Sequence, residues 1–373
     1  MCSNGWVRWD KQRVGQEALS SLDAGVAGNG VTEDGGERAA PPLPLALAHS
    51  VRRTFDTPGF AGMTFYEVNA KSIINKVPGA SRVPFSWTIN PYRGCSHACS
   101  YCFARNTHTY LDFDAGRDFD TQIVVKVNAA DVLRRELAAP RWRGESIAMG
   151  TNVDVYQRAE GRYRLMPGIL AALRDFANPF SILTKGTLIL RDLELLRQAA
   201  AVTSVGLSMS VGFVDETVWR SVESGTPSPR RRLDAVRTLT DAGFDVGVLM
   251  APILPGITDT DESIDATVKA IAEAGACSVV PLPLHLRPGA RQWYLQWLAR
   301  ERPQLVRHYR ELFTRGPSGN MGSYQPDSVQ REITARVRAA ARRYGIGTNG
   351  TRQVRQPAPP PPAEPEFTQM RLI

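Results

Sequence analysis

Between residues 85 and 281 the chain alternates two hydrophobic patterns. Short apolar or β-branched runs bounded by turn residues fall at 85–89, 146–149, 180–184, 205–211, 246–251 and 278–281. Each has the length and composition of a strand. Between them, apolar residues recur at helical spacing. Ser228 can cap a helix and Pro229 suits its first turn; Leu233, Val236 and Leu239 continue it and Gly243 stops it. A second helix is predicted over 261–274, with Ile264, Val268 and Ile271 on one face and Gly275 as its stop. Helical spacing also fits 130–137, 167–176 and 192–200.

Strands alternating with helices call for a parallel sheet with helical crossovers. Six such units fit a partial barrel at least as well as an open doubly wound sheet. In both, function gathers at the C-terminal ends of the strands. After Pro288 the strand signal stops, and 292–300, 305–315 and 326–343 read as arginine-rich helices. Residues 1–48 carry no sustained period and include the run Pro41-Pro42-Leu43-Pro44. The segment 356–366, QPAPPPPAEPE, favours polyproline II. The expected fold class is therefore α/β: a partial (β/α)6 barrel of the TIM type with an added C-terminal helical segment and disordered tails. Its divisions are a disordered arm at 1–48, the barrel core with its lead-in at 49–285, an Arg-rich helical extension at 286–348 and a Pro-rich disordered tail at 349–373.

No run of about 18 apolar residues occurs, so no membrane-spanning helix and no membrane partner is expected. The first 30 residues mix Lys, Arg, Asp and Gly with no apolar core, unlike a secretory signal. Five cysteines among 373 residues are odd in number and too sparse for a disulfide scaffold, which points to a reducing, cytoplasmic compartment. The formal charge of +8 is unevenly spread: 285–356 holds 14 arginines, no lysine and four acids. Such a stretch is either a solvated helical face or a surface for phosphate or nucleic acid. The three arginines Arg230, Arg231 and Arg232 at the start of one helix read as mostly solvated charge.

Directly after the first strand comes Asn90-Pro91-Tyr92-Arg93-Gly94-Cys95-Ser96-His97-Ala98-Cys99-Ser100-Tyr101-Cys102-Phe103. Three of the five cysteines lie here, spaced C-x3-C-x2-C. Thiolates this close on one loop can ligate a soft metal centre. A structural zinc would need a fourth ligand, from His97 or a distant side chain. A cubane iron–sulfur cluster held by three cysteines would instead leave one iron open.

The motif and its place after the first strand resemble the radical S-adenosylmethionine (SAM) superfamily. The resemblance implies a [4Fe-4S] cluster on Cys95, Cys99 and Cys102, whose open iron chelates the amino and carboxylate groups of SAM. One-electron reduction, by a donor such as flavodoxin or ferredoxin, then cleaves SAM to a 5′-deoxyadenosyl radical. Further stretches are similar to the spore photoproduct lyase-like branch, and more narrowly to the Rv2578c family of actinobacterial radical SAM proteins. They are Gly150-Thr151-Asn152-Val153-Asp154-Val155-Tyr156-Gln157, Thr184-Lys185, Glu223-Ser224-Gly225-Thr226-Pro227-Ser228 and Ala251-Pro252-Ile253-Leu254-Pro255-Gly256. The likeness covers about 51–344.

This resemblance assigns Tyr101 to the adenine, Asp154 to the methionyl ammonium, Lys185 to the methionyl carboxylate, Ser210 to the nucleoside and Ile253 to an apolar contact with adenine. Ser224 stands where the branch has proline. It leaves the catalytic residues, the substrate and the oligomeric state open. Lyases of this branch quench the product radical with a cysteine just after the second strand. Here that segment is Met149-Gly150-Thr151-Asn152, with no cysteine, and Tyr156 is a nearby alternative donor. Cys277 opens the sixth strand and reads as a small buried hydrophobe. The expected function is a radical SAM enzyme that abstracts hydrogen from an unidentified substrate. The alternatives are a DNA repair lyase acting on a pyrimidine photoproduct and a non-catalytic metal-binding interaction protein.

Overall fold

The structure is a computed structural model and describes residues 47, 49–79, 83–315 and 320–348. Apart from Leu47, the arm expected at 1–48 and the tail expected at 349–373 lie outside the described residues.

All six expected strands form: β1 (Trp87–Ile89), β2 (Ile147–Met149), β3 (Phe180–Thr184), β4 (Val205–Ser210), β5 (Val246–Ile253) and β6 (Ser278–Pro283). Each pairs in parallel with the next, so spatial order follows sequence order. The strand Ile74–Lys76 runs antiparallel along the free side of β1. Among the described residues no ladder joins β1 to β6, so the barrel is open there. The crossovers carry α1 (Ala129–Leu137), α2 (Leu165–Asp175), α3 (Leu193–Val202), α4 (Pro229–Asp241) and α5 (Asp261–Glu273). Two of them are capped by side chains, α4 by the Ser228 expected from the sequence. Ser228 accepts from the Arg231 N–H with Pro229 in the first turn, and Thr260 accepts from the Ser263 N–H. The apolar stripes of these helices meet the strands in one continuous core that includes Ile169, Val236, Val268, Phe180 and Met250.

Beyond β6 come α6 (Ala290–Glu301), α7 (Val306–Phe313) and α8 (Asp327–Arg343). The expected helix over 305–315 ends at Phe313, and Thr314–Arg315 pairs antiparallel with Asn320–Met321. These helices divide between two jobs. Ile333, Val337, Ala340 and Ala341 of α8 enter the barrel core against α5 and β6, where a sixth crossover helix would sit. Tyr294, Trp297, Tyr309 and Phe313 of α6 and α7 build a second core that also takes in Cys99 and Tyr101.

A second, four-stranded sheet has no counterpart in the sequence expectations. It orders Val51–Arg53, Thr64–Val68, Gln122–Lys126 and Tyr92–Arg93. Strands of two to five residues are too short to establish a period. This sheet carries the chain from β1 out to the cysteine loop and back to α1.

Two expectations are corrected. Cys277 is exposed, because it lies in the turn at the N-terminal end of β6 and inward packing begins at Ser278. Arg232 is fully buried while Arg230 and Arg231 are exposed, since only Arg232 falls on the helix face turned to the barrel.

Candidate active site at the strand ends

The cysteine loop is held from three sides. On the sheet side, Cys95 N–H donates to Phe119 O at 2.9 Å. From below, the buried Gln157 amide bridges the loop: Ser96 N–H donates to its Oε1 at 2.8 Å, and its Nε2 donates to Gly94 O at 3.0 Å. From the far side, the turn after Val222 docks on the loop. Ser100 N–H donates to Val222 O at 3.0 Å and Gly225 N–H to His97 O at 3.1 Å. Gly225 is required there, because a Cβ would lie 2.3 Å from Ser96 O.

Cys95 and Cys99 are buried and Cys102 partly so; none of the three is in a disulfide. All three line one open cavity, about 180 Å³ in volume and about 850 Å³ when the space at its mouth is counted. Burial pushes each thiol pKa up, and the neighbouring thiols add to this at Cys95. A free thiol is therefore kept protonated here, and a thiolate needs a cationic partner. These are the soft donors of the cavity. Among the described residues, no three His, Cys, Asp or Glu groups converge tightly enough for one metal ion.

The rest of the wall comes from strand ends, as barrel geometry requires. Gly150, Thr151 and Asn152 follow β2, Lys185 follows β3, Ser210 ends β4, Ala251 and Pro252 lie in β5, and Leu284 and His285 follow β6. Gly150 adopts φ +82°, and a Cβ there would sit 1.7 Å from Leu183 O, so the backbone can cross β3 only at glycine. Thr151 presents a buried Oγ1 with no hydrogen-bond partner among the described residues.

Lys185 is the cation of the cavity wall. Its Nζ donates to Ser210 Oγ at 2.5 Å, reaches Ala251 O at 3.4 Å and Glu223 Oε1 at 3.6 Å, and lies 5.8 Å above the Tyr101 ring. Glu223 is fully buried and accepts from the Tyr101 hydroxyl and from Arg232. Burial alone would raise the Glu223 pKa, but Arg232 and Lys185 outweigh it and hold the carboxyl at about 2. Arg232 also donates to Ser210 O at 2.8 Å, so one buried network fixes Tyr101, Lys185 and Ser210 together.

Asp154 plays a different part from a simple ligand. Its Oδ1 accepts from Thr184 Oγ1 at 2.5 Å and Tyr156 N–H at 2.9 Å; its Oδ2 accepts from Lys185 N–H at 2.6 Å and lies 3.4 Å from His97 Nδ1. It lines the cavity while tying the ends of β2 and β3 to the cysteine loop.

The structure thus brings together Cys95, Cys99, Cys102, Tyr101, Asp154, Lys185 and Ser210. It does not bring Ile253 to the cavity: that side chain is fully buried in the barrel core, and Ala251 and Pro252 of the same strand line the wall instead. Tyr156 is also away from the wall, its hydroxyl donating to Asp192 at 3.1 Å. Gln157, Thr151 and His285 were not singled out from the sequence, and Arg232 was read there as solvated charge. Gln157 and Thr151 lie within a quoted motif, which was the available signal; nothing in the sequence separates the buried Arg232 from the exposed Arg230 and Arg231.

An open α/β barrel with three thiols over its C-terminal mouth defines a cofactor-dependent enzyme scaffold. The chain belongs to the radical SAM superfamily, whose family model matches residues 89–271, from the end of β1 into α5. It is 49% identical over 336 residues to the uncharacterized protein Rv2578c of Mycobacterium tuberculosis, covering 90% of this chain and 94% of that one. The uncharacterized protein MJ0683 of Methanocaldococcus jannaschii is 30% identical over 203 residues, covering 54% and 72%. Among solved structures, spore photoproduct lyase complexed with dinucleoside spore photoproduct matches with a TM-score of 0.59 at 16% identity, over 76% of this chain and 80% of that one. A variant of that lyase with bound AdoMet and the same dinucleoside matches with a TM-score of 0.57. At that identity the likeness is one of fold.

Proposed function

We propose that this radical SAM enzyme holds a [4Fe-4S] cluster on Cys95, Cys99 and Cys102 and binds SAM in the adjoining cavity. The observation that carries this is the set of three unbridged thiols lining one cavity, with a hydroxyl in its wall, Thr151 Oγ1, that has no hydrogen-bond partner among the described residues. When bound and reduced by a one-electron donor of the flavodoxin or ferredoxin class, these cofactors supply a 5′-deoxyadenosyl radical that takes hydrogen from a substrate.

The protein's own residues bind and orient. Lys185, fixed by Ser210 and Glu223, places a cation for a ligand carboxylate. Asp154 already accepts from Thr184, Tyr156 and Lys185, so it acts on a ligand ammonium mainly through its charge. The Tyr101 ring offers an apolar face whose hydroxyl is held by Glu223. Leu183, Leu249 and Leu284 make part of the cavity wall apolar.

The DNA-lyase alternative is weakened by the wall itself. Among the described residues, the only thiols lining the cavity are the three cysteines of the loop, and its one tyrosine, Tyr101, gives its hydroxyl to Glu223. Among the described residues, every thiol of the wall is thus assigned to the cluster.

The test is anaerobic reconstitution followed by reaction with dithionite and SAM. About four irons and four sulfides per chain are expected, as a cubane requires, with slow release of 5′-deoxyadenosine and methionine. Alanine at any of the three cysteines should abolish most iron binding, and Cys277→Ala should not. Lys185→Ala should weaken SAM binding about tenfold or more, the loss of one charge-assisted contact, with iron content unchanged. Added dinucleoside spore photoproduct should not be repaired. One zinc without sulfide would overturn the proposal; clean multiple-turnover repair would restore the lyase reading.

A further inference from the structure

Arg105 lies three residues beyond Cys102 and is fully buried. Every nitrogen of its guanidinium is engaged. Nε and Nη2 donate to Cys99 O at 3.2 and 2.9 Å, and Nη1 donates to Gly116 O at 2.7 Å. Nη2 also donates to both oxygens of Asp120, at 2.8 and 3.0 Å. The rings of Phe119 and Trp293 flank it, 5.3 and 4.9 Å from the guanidinium carbon. One edge of this cation therefore faces the backbone of a cysteine in the loop, and Asp120 sits on it from the partly exposed side.

A cation this deep is costly to bury and persists only when it is paired and hydrogen-bonded. Bracing the Cys99 carbonyl does not require a charge, since a neutral amide donates as well. What only a cation supplies is a field, and the loop it braces at Cys99 O carries the three cysteines.

We propose that Arg105 and Asp120 together set the reduction potential of the cluster bound by this loop. The inference rests on the cluster assignment made above. A [4Fe-4S]2+ core with three thiolates carries one net negative charge. It gains a second when it accepts one electron from a flavodoxin- or ferredoxin-class donor, or from dithionite in the assay. The Arg105 cation stabilises the more negative, reduced form and raises the potential; the Asp120 carboxylate limits that rise. Net charge and local hydrogen bonding are among the main levers on such potentials. Arg105 acts here through the field and through its hold on Cys99, as a positioning residue and not a catalytic one.

The experiment is a redox titration of the reconstituted full-length protein, read by the visible absorbance and electron paramagnetic resonance of the reduced cluster. Wild type is compared with Arg105→Gln, Arg105→Lys and Asp120→Asn. In Arg105→Gln the reduced-to-oxidised ratio at a fixed ambient potential should fall about tenfold, which for one electron is 59 mV. Arg105→Lys, which keeps the charge, should stay near wild type. Asp120→Asn should shift the ratio the opposite way, a sign that a purely structural role would not produce. Gln and Asn variants that titrate with wild type, or shift together, would overturn the inference. Should Arg105→Gln fail to hold a cluster, Asp120→Asn decides alone: a rise supports the inference and no rise overturns it. A wild-type protein with no four-iron cluster would overturn the proposed function itself.

Discussion

At Asp154 one carboxylate collects donors from three parts of the chain: Thr184 and Lys185 at the end of β3, Tyr156 after β2, and His97 within the cysteine loop. Burial pushes its pKa up, but His97, Thr184 and the Lys185 N–H prevail and hold it at about 2, below the ordinary 3.8. A carboxyl with a lower pKa folded than unfolded binds fewer protons in the native state. Its stabilisation is complete above about pH 4 and drains away as pH falls through about 2. The amount is about 2 kcal/mol, from about 1.4 kcal/mol per pKa unit. Asp154→Asn should therefore lower stability at neutral pH by about that much and flatten the acid limb, with Glu223 supplying the decline that remains. Urea titrations of both proteins between about pH 2 and 6 measure this. Parallel limbs would show that Asp154 is not a main source of acid sensitivity. The sequence marked Asp154 as a cavity residue, yet its work as a tie between elements depends on three partners that only folding brings near.

Among the elements, the turn from Glu223 to Pro227 carries more of the site than its length implies. It supplies Glu223 to the Tyr101–Lys185–Arg232 network, and its backbone docks on the cysteine loop at Gly225. Thr226 Oγ1 accepts from Trp219 Nε1 at 2.9 Å and pins the turn to the helix Glu216–Val222. Ser224, where the resembling branch has proline, is exposed, so that difference faces solvent. A methyl at Gly225 would meet the backbone of Ser96 and His97 at 2.3 to 2.7 Å, and backbone cannot swing aside as a side chain can. Gly225→Ala should therefore leave helix content intact while cutting reconstituted iron several-fold. Circular dichroism and iron analysis, with exposed Ser224→Ala as the control, check it. Full iron retention in Gly225→Ala would mean that the docking does not hold the loop in shape.

For the molecule as a whole, the five arginines of α8 in the arginine-rich C-terminal third split into two populations. Arg336 and Arg343 bond to Asp261 and Asp265 and fasten α8 onto α5. Arg331, Arg338 and Arg342 line a groove on the outer face of α8 and, among the described residues, have no carboxylate partner. If these three meet phosphates, the logarithm of the binding constant for nucleic acid should fall with log salt at a slope of about −3. Replacing all three with Gln should remove most of that slope. Binding that ignores salt, or survives the triple replacement, would exclude this face as a polyanion surface.

The sequence by itself determined the alternation of six strands with helices, because a strand buried on both faces and a helix with one apolar stripe leave distinct local patterns. It also determined the three-thiol loop, because cysteines at fixed spacing are a local fact; the strand-end residues of the site were legible only through the resemblance to the radical SAM superfamily. Only tertiary structure decided the second sheet, whose strands are too short to show a period. It alone decided the use of α8 to finish the barrel wall, since an apolar stripe does not say which surface it will cover. The burial of Arg105 and Arg232 and the withdrawal of Ile253 and Tyr156 from the cavity were settled in the same way. A side chain's environment is fixed by partners distant in sequence, and the same residue type serves equally on a solvated helix face and at the centre of a buried network.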